Sequence, residues 1–203
     1  MTVYQWLPAV LALHWEWLAT LLALAFILLA LGQYWLCWVF AMVVAMVHAL
    51  GALAQESWLL LALNLAYVLI AGSGLWRWGS IRRGARVRQL TVSSNIYLGA
   101  LLLAMSLVSG FWADYYGLAV HAYAEAFMLW SMLAFLALLA GGYRECWLAL
   151  LLSEGVAVAL ALEAGEQHSA SLHCFYLSLA LAGTGIWARA GVAAPGVERS
   201  SRS

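Results

Sequence analysis

Seven apolar runs, each long enough to cross a lipid bilayer as a helix, take up nearly all of this chain. They cover 9–31, 35–54, 57–77, 91–112, 118–140, 146–163 and 168–189. A hydrocarbon core of about 30 Å needs about 20 apolar residues per helix. Inside lipid every backbone N–H and C=O must find a partner within the protein, and a helix provides this within one segment. Of the 203 residues, 67% are hydrophobic and 9% charged, whereas a soluble domain is about half apolar and a quarter charged. Too little polar surface remains to cover a globule in water. The expected fold is an all-α integral membrane protein of seven transmembrane helices, occupying residues 1–190 as a single domain. After Pro195 the Ser/Arg tail, 191–203, is expected to be disordered.

The charges suggest an orientation. All nine basic residues are arginines. Five of them, Arg77, Arg82, Arg83, Arg86 and Arg88, crowd the one long polar connection between spans three and four. With seven spans, that loop shares a side with Arg144, Arg189, Arg199 and Arg202, while Glu56, Asp114, Glu163 and Glu166 fall opposite. The positive-inside rule then puts the C-terminus in the cytoplasm and the N-terminus outside. The N-terminus lacks the basic start of a signal peptide, so the first run reads as a retained helix. Net charge is zero, and no feature points to nucleic acid. Cys37, Cys146 and Cys174 lie in apolar runs without CxxC spacing and read as small buried hydrophobes.

The chain also repeats itself. Glu16 to Tyr34 resembles Glu125 to Tyr143 at an offset of 109, each segment opening on Glu and closing Gly-x-Tyr. The stretch Ala71-Gly72-Ser73-Gly74-Leu75-Trp76 resembles Ala182-Gly183-Thr184-Gly185-Ile186-Trp187 at an offset of 111. At that second offset, Phe175 and Ser178 stand where Asn64 and Tyr67 stand in the first half. The expectation is a 3+1+3 parallel repeat: repeat one at 9–78, a connector helix at 91–112, and repeat two at 118–189. Parallel repeats about an axis along the membrane normal are a transporter layout, with substrate held between them near the midplane.

Polar groups within spans are costly and usually face a cavity or the bundle interior. Here they are Glu16, His48, Asn64, Glu125, Glu154 and His173, with Asn95 near the start of span four. Glu154 is nearest mid-span. It either meets a hydroxyl or cationic group of a substrate or forms a neutral interhelical hydrogen bond. Glu16 and Glu125, expected about two turns inside their spans, suit a structural pair or a substrate role equally. Asn64 and Tyr67 share one helix face and suit a planar, hydrogen-bonding ligand. Trp35, Trp38, Trp130 and Trp147 remain open between belt, packing and ligand stacking. No zinc, P-loop, HExxH or GxSxG pattern occurs, so neither enzyme nor cofactor is expected. No arginine lies deep in a span, which disfavours phosphate and favours a neutral or cationic ligand.

The chain resembles the PnuC-type vitamin transporters, typified by nicotinamide riboside uptake, and shares its general layout with sugar facilitators of the SWEET type. The family's third helix reads roughly Gln-x-x-Tyr followed by Tyr-Gly-Trp-x-x-Trp. Asn64, Tyr67, Gly74 and Trp78 stand at the Gln, the first Tyr, the Gly and the final Trp. The sixth helix carries Asn-Trp-x-x-Trp-x-x-x-Asn, where this chain has Cys146, Trp147, Leu150 and Glu154, and Trp35 and Trp38 keep a Trp-x-x-Trp in the first half. The resemblance implies a multi-pass protein of the bacterial inner membrane. Its function would be to carry an unphosphorylated vitamin such as nicotinamide riboside by facilitated diffusion (uniport), trapped by cytosolic phosphorylation. Substrate contacts would come from Asn64, Tyr67, Trp147, Glu154, Trp35, Trp38 and Glu125. Thiamine, another vitamin or a sugar is the alternative cargo, and proton coupling through an intramembrane Glu the alternative mechanism. A scaffold or sensor binding a partner through the arginine loop is a third reading. A homo-oligomer is left open.

Overall fold

A computed structural model describes residues 7–54, 58–79 and 87–192. It contains helices α1 (Leu7–Leu31), α2 (Cys37–Ala54), α3 (Trp58–Gly79), α4 (Val92–Tyr115), α5 (Ala122–Gly141), α6 (Cys146–Glu163) and α7 (Gln167–Val192). No strand occurs among the described residues beyond one isolated bridge. Four helices, α4, α5, α6 and Gln167–Gly191 of α7, are long and apolar enough to cross a membrane. The chain is an all-helical, multi-pass membrane protein.

Two compact units divide it, Met1–Ala85 and Arg86–Ser203. In the first, α2 packs on both α1 and α3; in the second, α5 packs on α4 and α6, and α6 on α7. Side chains follow lipid rather than water. On α2, Ala45, Ala49 and Ala52 are buried, while Val43, Met46, Leu50 and Leu53 are exposed. Helices in lipid gain little from burying leucine. They gain from small residues that let backbones approach closely.

The helix ends lie within three residues of the apolar runs except at the start of α5. Gly117 turns the chain at φ 62°, the Leu118 N–H bonds back to the Ala113 carbonyl, and α5 starts only at Ala122. Glu125 therefore lies in the first turn of its helix and not two turns inside. Its Oε1 accepts from the His121 N–H at 3.4 Å, satisfying a helix-start donor. The Glu16 side chain, Arg82, Arg83, Arg86 and the tail from 193 lie outside the described residues.

The α1–α2 connection of the first unit and the α5–α6 connection of the second close in the same way. Tyr34 N–H bonds the Leu29 carbonyl at 2.9 Å, and Tyr143 N–H bonds the Leu138 carbonyl at 2.9 Å. The residue before each tyrosine is left-handed: Gln33 at φ 59° and Gly142 at φ 73°. This is the Schellman end of a helix. A buried tryptophan follows in each unit. Trp38 packs on Phe26 (6.2 Å between ring centroids) and edge-on to Trp78 (5.4 Å). Trp147 packs on Phe135 (5.9 Å) and Trp187 (5.8 Å). A Cβ at Gly74 would strike the Trp38 indole, and one at Gly183 the Trp147 indole.

These equivalences share one offset, 109, from first helix to third. The offset of 111 read from the third-helix sequence is thus corrected by two residues. Gly-[Ser/Thr]-Gly-x-Trp aligns by letters, but the glycine that seats a tryptophan is the second in α3 and the first in α7. The counterparts of Asn64 and Tyr67 are His173 and Tyr176, not Phe175 and Ser178.

In the second unit the segment before α4 is tied to the α5–α6 turn. The Arg88 N–H donates to the Gly142 carbonyl (2.8 Å) and the Arg144 N–H to the Arg88 carbonyl (3.0 Å). The Arg88 guanidinium stands 5.1 Å from the Tyr143 ring. Thr91 then caps α4 by accepting from the Ser94 N–H at 3.2 Å.

Candidate functional site

On α6, the residues Cys146, Ala149, Leu150, Ser153, Glu154, Ala157 and Ala161 form one buried stripe at helical spacing. Leu148, Leu152 and Leu162 face outward. Glu154 sits mid-helix in that stripe at 5% exposure, about 12 Å of helix rise from either end. A carboxylate so placed needs a partner, because lipid offers none. The partner is on α7: His173 Nδ1 lies 2.7 Å from Glu154 Oε2. Tyr176, buried one turn further along α7, lies within electrostatic reach of Glu154. Ser153, beside Glu154, donates to the Met128 carbonyl of α5 at 3.3 Å. Ser131, fully buried on α5, has no partner for its Oγ among the described residues.

The first unit carries a milder set. Asn64 is buried in the second turn of α3, and Tyr67 is half-buried one turn on. Ala45 stands at the counterpart of Glu154. The first unit thus offers an amide and a phenol where the second offers an imidazole, a phenol and a carboxylate.

The tryptophans are placed differently from one another. Trp38 and Trp147 are fully buried within their own units, each enclosed by Phe, Trp and Gly. As placed, their ring faces meet protein, so they shape the helix packing under the polar groups. Trp35 lies in the α1–α2 connection at 45% exposure, where an interfacial belt residue belongs. Trp130 donates from Nε1 to Ser109 Oγ at 3.0 Å and joins α5 to α4. Glu125 is exposed at the α5 start. Of the residues singled out from sequence, the structure surrounds Glu154 with polar neighbours in the second unit and sets Asn64 near Tyr67 in the first. His173 was named among the polar in-span residues but not among the substrate contacts, and Tyr176 and Ser131 were not singled out. The 109 offset is the signal that would have found His173, since it aligns with Asn64.

The described arginines lie at helix ends or in turns: Arg77 and Arg189 in last turns, and Arg88 and Arg144 in connections. No group of three metal-binding side chains occurs among the described residues.

A family model described as nicotinamide mononucleotide transporter matches residues 13–189. The chain belongs to that family. The family is one of transporters rather than enzymes, and the chain is a membrane transporter. Among solved structures, the crystal structure of the vitamin B3 transporter PnuC matches with TM-score 0.67 over 86% of this chain and 80% of that one. At 15% identity this likeness speaks for the fold. No curated protein sequence matches the chain.

Proposed function

We propose that this transporter carries an unphosphorylated, cationic vitamin such as nicotinamide riboside by facilitated diffusion, driven by the vitamin's own gradient and by cytosolic phosphorylation that traps it. The observation that carries the reading is Glu154: a carboxylate buried mid-helix and hydrogen-bonded to a histidine. A buried carboxylate suits a cationic ring and ribose hydroxyls. It repels a phosphate, and no described arginine stands mid-helix to offset that repulsion. The family description names a mononucleotide, but the chemistry around Glu154 favours the dephosphorylated nucleoside. Thiamine, also cationic and aromatic, fits the same groups. Asn64 and Tyr67 supply neutral hydrogen bonds to hydroxyls. The three-one-three parallel repeat and the bacterial inner membrane belong to this proposal.

Uptake into proteoliposomes tests it. Nicotinamide riboside enters without an imposed ion gradient and nicotinamide mononucleotide does not. Glu154→Gln lowers riboside uptake at least about tenfold, the loss of one charge-assisted contact, and Asn64→Ala lowers it less. Unchanged uptake in both variants would remove these residues from the site. The rival reading, proton coupling through an intramembrane glutamate, has the His173 hydrogen bond in its favour.

A further inference from the structure

The contact between Glu154 and His173 joins a closed residue to an open one. The Glu154 side chain is almost wholly buried, whereas that of His173 is about one-third exposed. That exposure lies on the packed face of α7 and not on its outer face. Ala170, Tyr176, Ala180 and Trp187 form a buried stripe along the helix. At about 100° per residue His173 falls inside that stripe, about 60° from Ala170 and Tyr176 and about 20° from Ala180. Phe175 and Ile186, on the outer face, are exposed. The same stripe runs along α3, where Asn64, Ala71 and Trp78, the counterparts of His173, Ala180 and Trp187, are all buried. A polar side chain left partly open between closed neighbours on a packed face lines a cavity rather than the lipid boundary.

The contact also fixes how the ring stands. His173 Nδ1 lies 2.7 Å from Glu154 Oε2, and this holds the imidazole at one rotation whichever atom carries the shared proton. Glu154 is itself on a braced part of α6, since Ser153 donates to the Met128 carbonyl of α5 at 3.3 Å. With Nδ1 engaged, Nε2 is the nitrogen left for a ligand, and it points away from the carboxylate. The two nitrogens of an imidazole are distinct, and the bond that one makes sets what the other offers. An amide such as Asn64 carries a donor and an acceptor without that help, and the first unit has Ala45 where the second has Glu154.

We infer that His173 is a specificity-determining residue of the substrate site: its Nε2 makes a hydrogen bond to an uncharged polar group of the vitamin, a ribose hydroxyl or the ring carboxamide, and Glu154 serves in addition as the positioning residue that sets the angle of the ring. The inference rests on the reading that the vitamin binds beside Glu154, and it adds a direction to that reading. A carboxylate attracts a cation from any side. A ring nitrogen held at one angle makes its hydrogen bond along one line. A cation whose hydroxyl or amide falls elsewhere leaves Nε2 without a partner, which is how a site built for such a group rejects a ligand that lacks it.

Two substitutions of His173 in the purified full chain decide the matter, with nicotinamide riboside binding read by calorimetry and folding by the thermal unfolding midpoint. His173→Asn keeps an amide nitrogen near the Nδ1 position, within reach of Glu154, and has nothing at the Nε2 position. His173→Gln does the reverse. The expected result is that His173→Asn keeps a midpoint near wild type but binds the riboside at least about tenfold more weakly. His173→Gln lowers the midpoint further yet binds more tightly than His173→Asn. A purely structural role for His173 gives the opposite order of binding, and that order, or equal binding by the two variants, would overturn the inference. Riboside analogues lacking the carboxamide or one hydroxyl identify the contacted group. The analogue without it binds wild type and His173→Asn within about threefold of each other, while the rest keep the tenfold gap. A gap of one size for every analogue would also overturn the inference. Glu154→Gln retains an oxygen for Nδ1, so wild-type affinity there would remove the direct role of the carboxylate while the His173 contact stands. Glu154→Leu frees the ring and weakens binding in either case; wild-type affinity in that variant would end the positioning role.

Discussion

Gln33 adopts φ 59° where its counterpart, Gly142, adopts φ 73°. A side chain in that left-handed region costs about 1 kcal/mol, which glycine avoids. Gln33→Gly should therefore stabilise the first unit by about that amount, visible as a rise in thermal unfolding midpoint in detergent. The opposite holds at Gly183. A Cβ there would enter the Trp147 indole, which is held between Phe135 and Trp187 and cannot swing aside. Gly183→Ala should cost about 1–3 kcal/mol by overpacking and lower the midpoint. Neighbouring Gly185 has nothing within contact distance, so Gly185→Ala should leave the midpoint nearly unchanged. The two glycines look alike in Gly183-Thr184-Gly185. Only the packing tells which one seats a tryptophan.

At the scale of elements, α4 is bound to α5 by a few specific contacts. Trp130 donates to Ser109 Oγ, and Gly110 lets Tyr123 approach, with the position of a Cβ lying 3.0 Å from the Tyr123 Cα. Ser109→Ala and Trp130→Phe should each lower stability by about 1 kcal/mol, and a double-mutant cycle should show coupling of about 0.5 kcal/mol or more. Independent effects would mean the hydrogen bond is not what joins the two helices. The number and order of helices were legible because lipid demands long apolar runs. The start of α5 was not, because Leu118 to His121 contains apolar residues that a hydropathy reading counts as helix. Gly117 and the bond from Leu118 to Ala113 end α4 and turn the chain there instead.

For the whole molecule, the arginines at 77, 82, 83, 86 and 88, with Arg144 and Arg189, predict one membrane side for the long connection and the C-terminus. A fluorescent protein fused to the C-terminus should glow in cells, and a periplasm-dependent phosphatase fused there should stay inactive. An active phosphatase fusion would reverse the orientation. The described part of that connection is ordered by its own contacts, since Arg88 pairs with Gly142 and Arg144 and covers Tyr143. Loop composition carries the topology signal, but it does not reveal that the loop's end docks on the α5–α6 turn. That contact joins residues about 55 positions apart through backbone atoms, which leave no mark in side-chain pattern.

Sequence alone determined the solvent, the helix count and the family resemblance, and it made Glu154 stand out, because each depends on composition or on one residue's misfit with its surroundings. A carboxylate in the middle of an apolar run is conspicuous whatever it touches. Tertiary structure decided what that carboxylate touches. His173 lies 19 residues away on the next helix, and the chance similarity of two Gly-x-Gly stretches had set the third-helix register off by two. The indole–glycine contacts restored it, because an indole fits over a glycine and over no larger residue. With the register at 109, His173 takes the place of Asn64. The closing helices that matched by their glycines and tryptophan then differ where it matters, an amide in α3 and an imidazole beside Glu154 in α7.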